Sequence, residues 1–591
     1  LAVDVAFALF ASVLLLVRNQ HGRLWVGVGA ALQAAAFLLG LVNIASHVYY
    51  MQTVDALDWP LLRHMLAQPH DLALVMAGEV TPLQWLLLGI VILVSMPGPW
   101  IIRAWSIRSG SPPYLGPERR STRRAAVAAM LSPVVLVLGL LPPGVEVKDA
   151  GAARAPVLYV AATAFSSGRE IDPSLNQAVA GARFFEPGSV SVERVSQEPL
   201  RNLVVVVLES TRARALTPYQ PTLLTSPFLD ALSRKSLLVE RAYAVLPSTA
   251  KALTAIFCSV YPSISLEPQA LNIGLLGGCL PKLLAEHGYQ TMYMQAANVR
   301  FENRVKAIPA MGFGTFIRPE DMSSAGFEES NFLGREDDMM LEPSERWLSA
   351  HAGAPFFAAY LTINAHHDYN RLTRHGVHHF HPGDDVLDRY LNNVHATDAF
   401  VQALFAQYEK LGVYRNTLFV LVADHGEAFG EHGRRAHNTV PYEEGLRIPL
   451  MFHDPSETLV RRGRVPGPIS QLDIMPTVLQ LLGFKVTSGR LHGISIFESP
   501  RDRVLMTSCM GGCATRITER EAFIHHFGRR GDELFNLRND PLEQRDLAAS
   551  EPELVEQRAA EVRAFKLRID SFFYLHALHA AEAAAKARGS R

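Results

Sequence analysis

The chain has 591 residues, 49% of them apolar, and a formal net charge of −1. That length exceeds one ordinary domain, and the charge balance gives no electrostatic basis for binding nucleic acid. The apolar residues are unevenly placed: residues 1–145 are dominated by long apolar runs, whereas the rest reads as an α/β protein.

Four apolar runs, 1–17, 24–46, 82–102 and 125–142, are candidate membrane helices, since a spanning helix needs roughly 20 mostly apolar residues. The first is short and the sequence starts at Leu1 rather than Met, which predicts a further helix ahead of it; a four-helix arrangement with Leu1 outside is the alternative. The fourth is also short and contains Pro133. The loop RAWSIRSGSPPYLGPERRSTRR carries six Arg and one Glu, and RNQHGR is basic, so both are expected on the cytoplasmic side. The intervening loop, residues 47–80, has four acids and one Arg and is expected outside. Everything after about residue 145 is then extracytoplasmic, in a multi-pass membrane protein. Such a compartment permits disulfides. Proximity in sequence favours Cys258–Cys279 and Cys509–Cys513; a zinc site built from all four cysteines is the less familiar alternative.

Residues 146–200 are irregular and read as a juxtamembrane connector. From 202 the character changes. NLVVVVLES is a Val-rich run without alternation, as expected of a strand buried on both faces of a parallel sheet. PFFAAYLTINAHHDY (355–369) and NTLFVLVADHGEAFG (416–430) share the pattern, with helix candidates such as SPFLDALSRKSLL and CLPKLLAEHGY between them. Alternating strands and helices predict a doubly wound α/β sheet over 201–550. The tail, 551–591, reads as helix with a basic end.

Each buried strand ends in ionisable residues: Glu209-Ser210-Thr211, then Asn364, His366, His367 and Asp368, then Asp424-His425-Gly426-Glu427. Ligands in open α/β sheets bind outside the carboxyl ends of the strands, so Glu, His, Asp and His converge on one edge. These oxygen and nitrogen ligands suit a divalent transition metal. Thr249 precedes an apolar helical run, ALTAIFCSVYP. A hydroxyl there can cap the helix, but it also sits where anions bind, and beside a metal it can become a nucleophile.

The order of elements over most of 200–545 resembles the alkaline-phosphatase-like superfamily of sulfatases and phospho-transferases. NLVVVVLES resembles its first metal-binding strand, VADHGEAFGEHG its second metal motif and ELFNLRNDPLEQRDLA its closing segment. STAKALTAIFCSVYP is similar to the nucleophile segment of the lipoteichoic-acid synthases, with Thr249 and Ser259-Val260-Tyr261-Pro262 in their spacing. The resemblance implies one metal ion, Mn or Zn, held by Glu209, Thr249, Asp424 and His425. It implies substrate contacts from His366, in LTINAHHDY, and Arg304, in VRFENR, while His437 matches a substrate histidine of phosphoethanolamine transferases. His367 reads as a neighbour and His432 as surface. Glu302 departs from the pattern, because the synthases place Trp there. Sulfatases convert Cys or Ser to an aldehyde hydrate, which Thr249 cannot supply, and Lys251 and Leu253 stand where their Pro and Arg belong.

The implied protein is therefore a bacterial inner-membrane enzyme with an extracytoplasmic, sulfatase-like catalytic domain. It would move a phospholipid head group, phosphoglycerol first, through phospho-Thr249 to a cell-envelope glycan or polymer. The alternatives are phosphoethanolamine transfer to lipid A or glycan, for which ESTRARA resembles the Glu-Thr-x-Arg of that branch, and a membrane-anchored hydrolase of phosphate or sulfate esters.

Overall fold

A computed structural model describes residues 23–53, 57–95, 156, 160, 161, 164 and 190–589, apart from 265–277, 382, 501, 511, 528 and 529. The chain divides into two units, residues 1–63 with 79–170 and residues 64–78 with 171–591. In the smaller unit, helices Arg23–Thr53 and Pro82–Ser95 pack against each other. They coincide with two of the four apolar runs. The runs at 1–17 and 125–142, the basic loop at 103–124 and most of the connector lie outside the described residues. Among the described residues no helix is long and apolar enough to cross a membrane. Leu83, Leu86, Ile90 and Leu93 nevertheless leave the helix Pro82–Ser95 with exposed apolar side chains.

The larger unit is built on a nine-stranded sheet. Its strands are β1 (Asn202–Leu208), β2 (Leu237–Tyr243), β3 (Gln290–Gln295), β4 (Thr315–Ile317), β5 (Phe356–Leu361), β6 (Thr417–Ala423), β7 (Arg447–His453), β8 (Gly463–Val465) and β9 (Ile469–Ser470). They lie in the order β8-β2-β7-β6-β1-β5-β3-β4, with β9 also paired to β2. Only β7 runs antiparallel to its neighbours. The Val run of β1 is buried along its whole length between β5 and β6, which is why it lacks alternation. Helix α1 (Thr249–Cys258) is entirely buried, and α2 (Asp385–Lys410) is capped by Asp384, whose carboxylate accepts the N–H groups of Val386 and Leu387 at 3.0 and 3.1 Å.

Register decides what meets at the sheet edge. Val207 pairs with Leu361 and Val422, and Leu208 with Ala423. The three strands therefore end level, and the residues that follow, Glu209, Thr362 and Asp424, emerge side by side. A smaller antiparallel sheet follows in the order β10 (Leu505–Cys509), β11 (Cys513–Ile517), β12 (Glu521–His525) and β13 (Glu533–Asn536). Ala559 and Val562 of helix α3 (Pro552–Gly589) pack on its Ala514, Phe523 and Leu534. All four cysteines are used in Cys258–Cys279 and Cys509–Cys513, the pairing proximity favours, which excludes the four-cysteine zinc site.

Candidate metal and nucleophile site

Glu209, Asp424 and His425 are fully buried, and one ligand atom of each lies within 4.8 Å of the others. Each is fixed by its strand end. The Glu209 N–H donates to Thr362 Oγ1 at 3.0 Å. Ser210, held at a positive φ of 52°, donates its N–H to Asp424 Oδ1 at 2.8 Å, tying the ends of β1 and β6 together. Gln471 braces the second loop: its amide donates to the carbonyls of Ala423 and Asp424 at 2.9 and 2.7 Å while its Oε1 accepts the Val245 N–H at 3.0 Å. Gly426 must be glycine, because a Cβ there would lie 2.1 Å from the carbonyl oxygen of Glu444.

The polar atoms left over face one another. Nδ1 of His425 is 2.9 Å from the Gly426 carbonyl, so it carries the proton and Nε2 carries the lone pair. That Nε2 lies 3.4 Å from Asp424 Oδ2 and 3.7 Å from Glu209 Oε1. Neither His425 Nε2 nor Asp424 Oδ2 has a hydrogen-bond partner. Lone pairs aimed at one another in a buried site repel unless a cation stands between them. Burial lifts the Glu209 carboxyl well above its usual range, with the charge of Asp424 adding to it. Burial likewise pushes Asp424 up to about 6. This donor set fits a divalent ion.

The hydroxyl of Thr249 belongs to the same cluster. Its Oγ1 donates to Glu209, 3.1 Å from Oε2 and 3.3 Å from Oε1. Capping is not its role, since Ser248 occupies the cap position of α1 and makes no side-chain cap bond. A carboxylate from elsewhere does that work: Glu302 accepts the Ala250 N–H at 3.1 Å and the Ser248 hydroxyl at 2.9 Å. Glu302 also accepts from Arg304 at 2.9 Å. Arg304 is 1% exposed, and its Nε and second terminal nitrogen have no hydrogen-bond partner. Two donors of a buried guanidinium thus remain for an anion beside the first turn of α1. Lys251, two residues into that turn, donates to the Ser263 carbonyl at 2.6 Å, and burial lowers its pKa to about 8.

Three histidines complete the site. His366 and His367 stack at 4.2 Å between ring centroids, and His437 stacks on His425 at 4.1 Å. Burial holds His366 and His437 well below the usual imidazole pKa, helped for His366 by His367 and for His437 by His425, so both are neutral bases at pH 7. Nδ1 of His437 lies 3.0 Å from Glu427 Oε2. Glu209, Thr249, Asp424 and His425 thus form one cluster, with Arg304 held beside α1 through Glu302 and with His366 and His437 adjoining. Glu427 stands in the strand-end motif without an assigned role, and nothing in the sequence points to Gln471 or to the brace from Glu302. Only Glu427 carried a signal, sitting two residues after His425 in the same strand-end motif. His432, read as surface, is half-buried and stacks on Tyr442 at 4.0 Å while its Nδ1 bonds Glu444 Oε1 at 2.8 Å.

The sulfatase family pattern matches residues 201–484. The chain is 24% identical over 313 residues to the lipoteichoic acid synthase-like YvgJ of Bacillus subtilis, covering 51% of this chain and 50% of that protein. It is 22% identical over 331 residues to an ulvan-active sulfatase of Formosa agariphila, covering 51% of this chain and 65% of that one. The chain thus spans between half and two thirds of the length of these relatives. The crystal structure of the lipoteichoic acid synthase LtaP from Listeria monocytogenes has the same fold, with a TM-score of 0.53 at 19% identity, over 67% of this chain and 98% of that one. Residues 201–484 form a sulfatase domain of the alkaline-phosphatase-like superfamily, with lipoteichoic acid synthases among its homologues.

Proposed function

We propose that the chain is a membrane-bound, metal-dependent transferase that moves a phospholipid head group, phosphoglycerol first, through phospho-Thr249 to a cell-envelope glycan or polymer. The observation that carries this reading is the Thr249 hydroxyl bonded to Glu209 beside the unpartnered Asp424 Oδ2 and His425 Nε2. A divalent ion held by Glu209, Thr249, Asp424 and His425 would lower the hydroxyl's pKa and offset the charge developing on phosphorus. Thr249 Oγ1 then forms a bond to phosphorus as the bond to diacylglycerol breaks. The free edge of Arg304 grips non-bridging oxygens by charge-assisted hydrogen bonds. His366 or His437 carries a proton to the leaving oxygen and later takes one from the acceptor hydroxyl, whose oxygen bonds to phosphorus as the bond to Thr249 Oγ1 breaks. Positioning and charge neutralisation dominate such in-line transfers.

Membrane attachment is supported by the two apolar runs seen as helices and by the exposed leucines of Pro82–Ser95. Residues 64–78, from the acidic loop expected outside, fold with the catalytic unit, and Asp71 Oδ2 accepts the Glu302 N–H at 3.3 Å. A tethered domain meets a lipid donor at high local concentration.

Phosphoethanolamine transfer is the second reading. His437 beside His425 favours it, as does the resemblance of ESTRARA to that branch. Purified protein incubated with labelled phosphatidylglycerol or phosphatidylethanolamine, with diacylglycerol release assayed, separates the two. Release from neither lipid counts against both. Turnover of a soluble ester without any acceptor would point instead to a hydrolase.

A further inference from the structure

We propose that Asp71, in the segment 64–78, is a positioning residue for the active site: by holding the backbone of Glu302 it sets the direction of the Arg304 guanidinium. Asp71 Oδ2 accepts the Glu302 N–H at 3.3 Å, across 231 residues of sequence. The segment interrupts the smaller unit in sequence yet belongs to the catalytic one. Within it Asp71 stands in the first turn of the helix Pro69–Glu79 and is half-buried. Burial raises its carboxyl above the usual range, and the charges of Glu302 and Arg304 both reach it, with opposite effects. The inference rests on the reading of Arg304 as the group that grips phosphate.

The simplest competing explanation is that Asp71 only docks its own helix on the larger unit. The peptide it holds argues otherwise. Glu302 and Asn303 are both left-handed, with φ of 52° and 55° and ψ of 26° and 31°. Asparagine visits that conformation readily and glutamate does not, so the Glu302 backbone needs a restraint from its surroundings. Asn303 has a local one, since its N–H donates to the Arg300 carbonyl at 3.1 Å. The Glu302 N–H donates to Asp71 instead. Two groups of the site depend on this peptide. The Glu302 carboxylate accepts the Ala250 N–H and the Ser248 hydroxyl at the start of α1. It also accepts from Arg304, the first residue of the helix Arg304–Ala310. Of the three guanidinium nitrogens of Arg304, only the one bonded to Glu302 has a hydrogen-bond partner. A rotation of the Glu302 peptide would therefore draw its carboxylate off α1 and turn the guanidinium with it.

The test reads phosphate affinity rather than turnover. Full-length protein in detergent is titrated calorimetrically with inorganic phosphate, and metal content and circular dichroism are measured for every variant. Arg304→Ala should weaken binding about 100-fold. Asp71→Ala should weaken it about tenfold, with metal content and circular dichroism unchanged. Asp71→Asn, whose amide oxygen still accepts the Glu302 N–H, should recover most of that loss. Asp71→Ser, too short to reach, should match Asp71→Ala and replaces it if that variant does not fold. Added to Arg304→Ala, Asp71→Ala should have no further effect, because Asp71 acts only through the arginine. Asp71→Ala that binds phosphate as tightly as the unaltered protein, while Arg304→Ala does not, overturns this inference alone. A further loss on top of Arg304→Ala does the same. Affinity indifferent to Arg304→Ala overturns both this inference and the role given to Arg304 in head-group transfer.

Discussion

Glu302 accepts a hydrogen bond from the buried guanidinium of Arg304 at 2.9 Å and, with the same carboxylate, the Ala250 N–H at 3.1 Å. One side chain thus locks a buried arginine to the helix that begins with Thr249. Glu302 itself sits at a φ of 52°, a conformation a non-glycine side chain adopts only when its surroundings hold it.

Removing that carboxylate should misplace Arg304. Glu302→Ala leaves Ala250 N–H, Ser248 and one Arg304 nitrogen without their acceptor, each worth about 1–3 kcal/mol when buried. Turnover should fall roughly 10–100-fold, with metal content unchanged. Glu302→Gln, which keeps an acceptor oxygen, should recover part of the loss. A variant with normal turnover would mean that Arg304 needs no such brace.

Burial raises the pKa of both Asp424 and Glu209, and the charge of Asp424 raises that of Glu209 further, so the ion-free protein holds buried carboxylates whose cost a bound cation relieves. A saturating cation at about a thousand times its dissociation constant stabilises by about 4 kcal/mol. Chelation should therefore lower the melting temperature. In the ion-free state Asp424→Asn should melt above the unaltered protein, because it removes one of two unneutralised charges. Calorimetry with and without chelator checks both signs; an ion-free Asp424→Asn that melts lower would contradict them.

His453 gives a pH dependence far from the metal ligands. Its ring is buried between the Ser236 hydroxyl at 3.1 Å and the Tyr414 hydroxyl at 2.8 Å, and burial lowers its pKa to about 4. The unfolded chain holds the proton more tightly, at about 6.5. The stabilisation from keeping this ring neutral is therefore complete above about pH 6.5 and lost as pH falls towards 4. The full loss is about 3 kcal/mol. Urea unfolding at pH 7 and pH 5 should show the drop, and His453→Asn should flatten it.

The Cys258–Cys279 bond ties the end of α1 to a point 21 residues on. A loop of that size constrains the unfolded chain by about 3 kcal/mol. Cys258→Ser with Cys279→Ser should lower unfolding stability by about that amount. Because the bond anchors the end of α1 remote from Thr249, zinc content should be kept.

The sheet was legible in the sequence because β1, β5 and β6 are buried on both faces, and only apolar runs without alternation fit there. The cluster of Glu209, Asp424 and His425 was legible for the same reason: an ionisable residue directly after such a run has to emerge at the sheet edge. What escaped was whatever depends on contacts between distant segments. Glu302 read as a departure from the expected Trp, since nothing local shows a carboxylate reaching α1 from 50 residues away. Gln471, which braces the Ala423 and Asp424 carbonyls, carries no local pattern at all.

The most direct measurement is mass spectrometry of the purified protein after incubation with phosphatidylglycerol or phosphatidylethanolamine. A head-group phosphate adduct should map to Thr249, disappear in Thr249→Ala, and coincide with a fall in turnover of at least about a thousandfold in that variant. Turnover that survives Thr249→Ala, or an adduct on another residue, would remove Thr249 as the nucleophile.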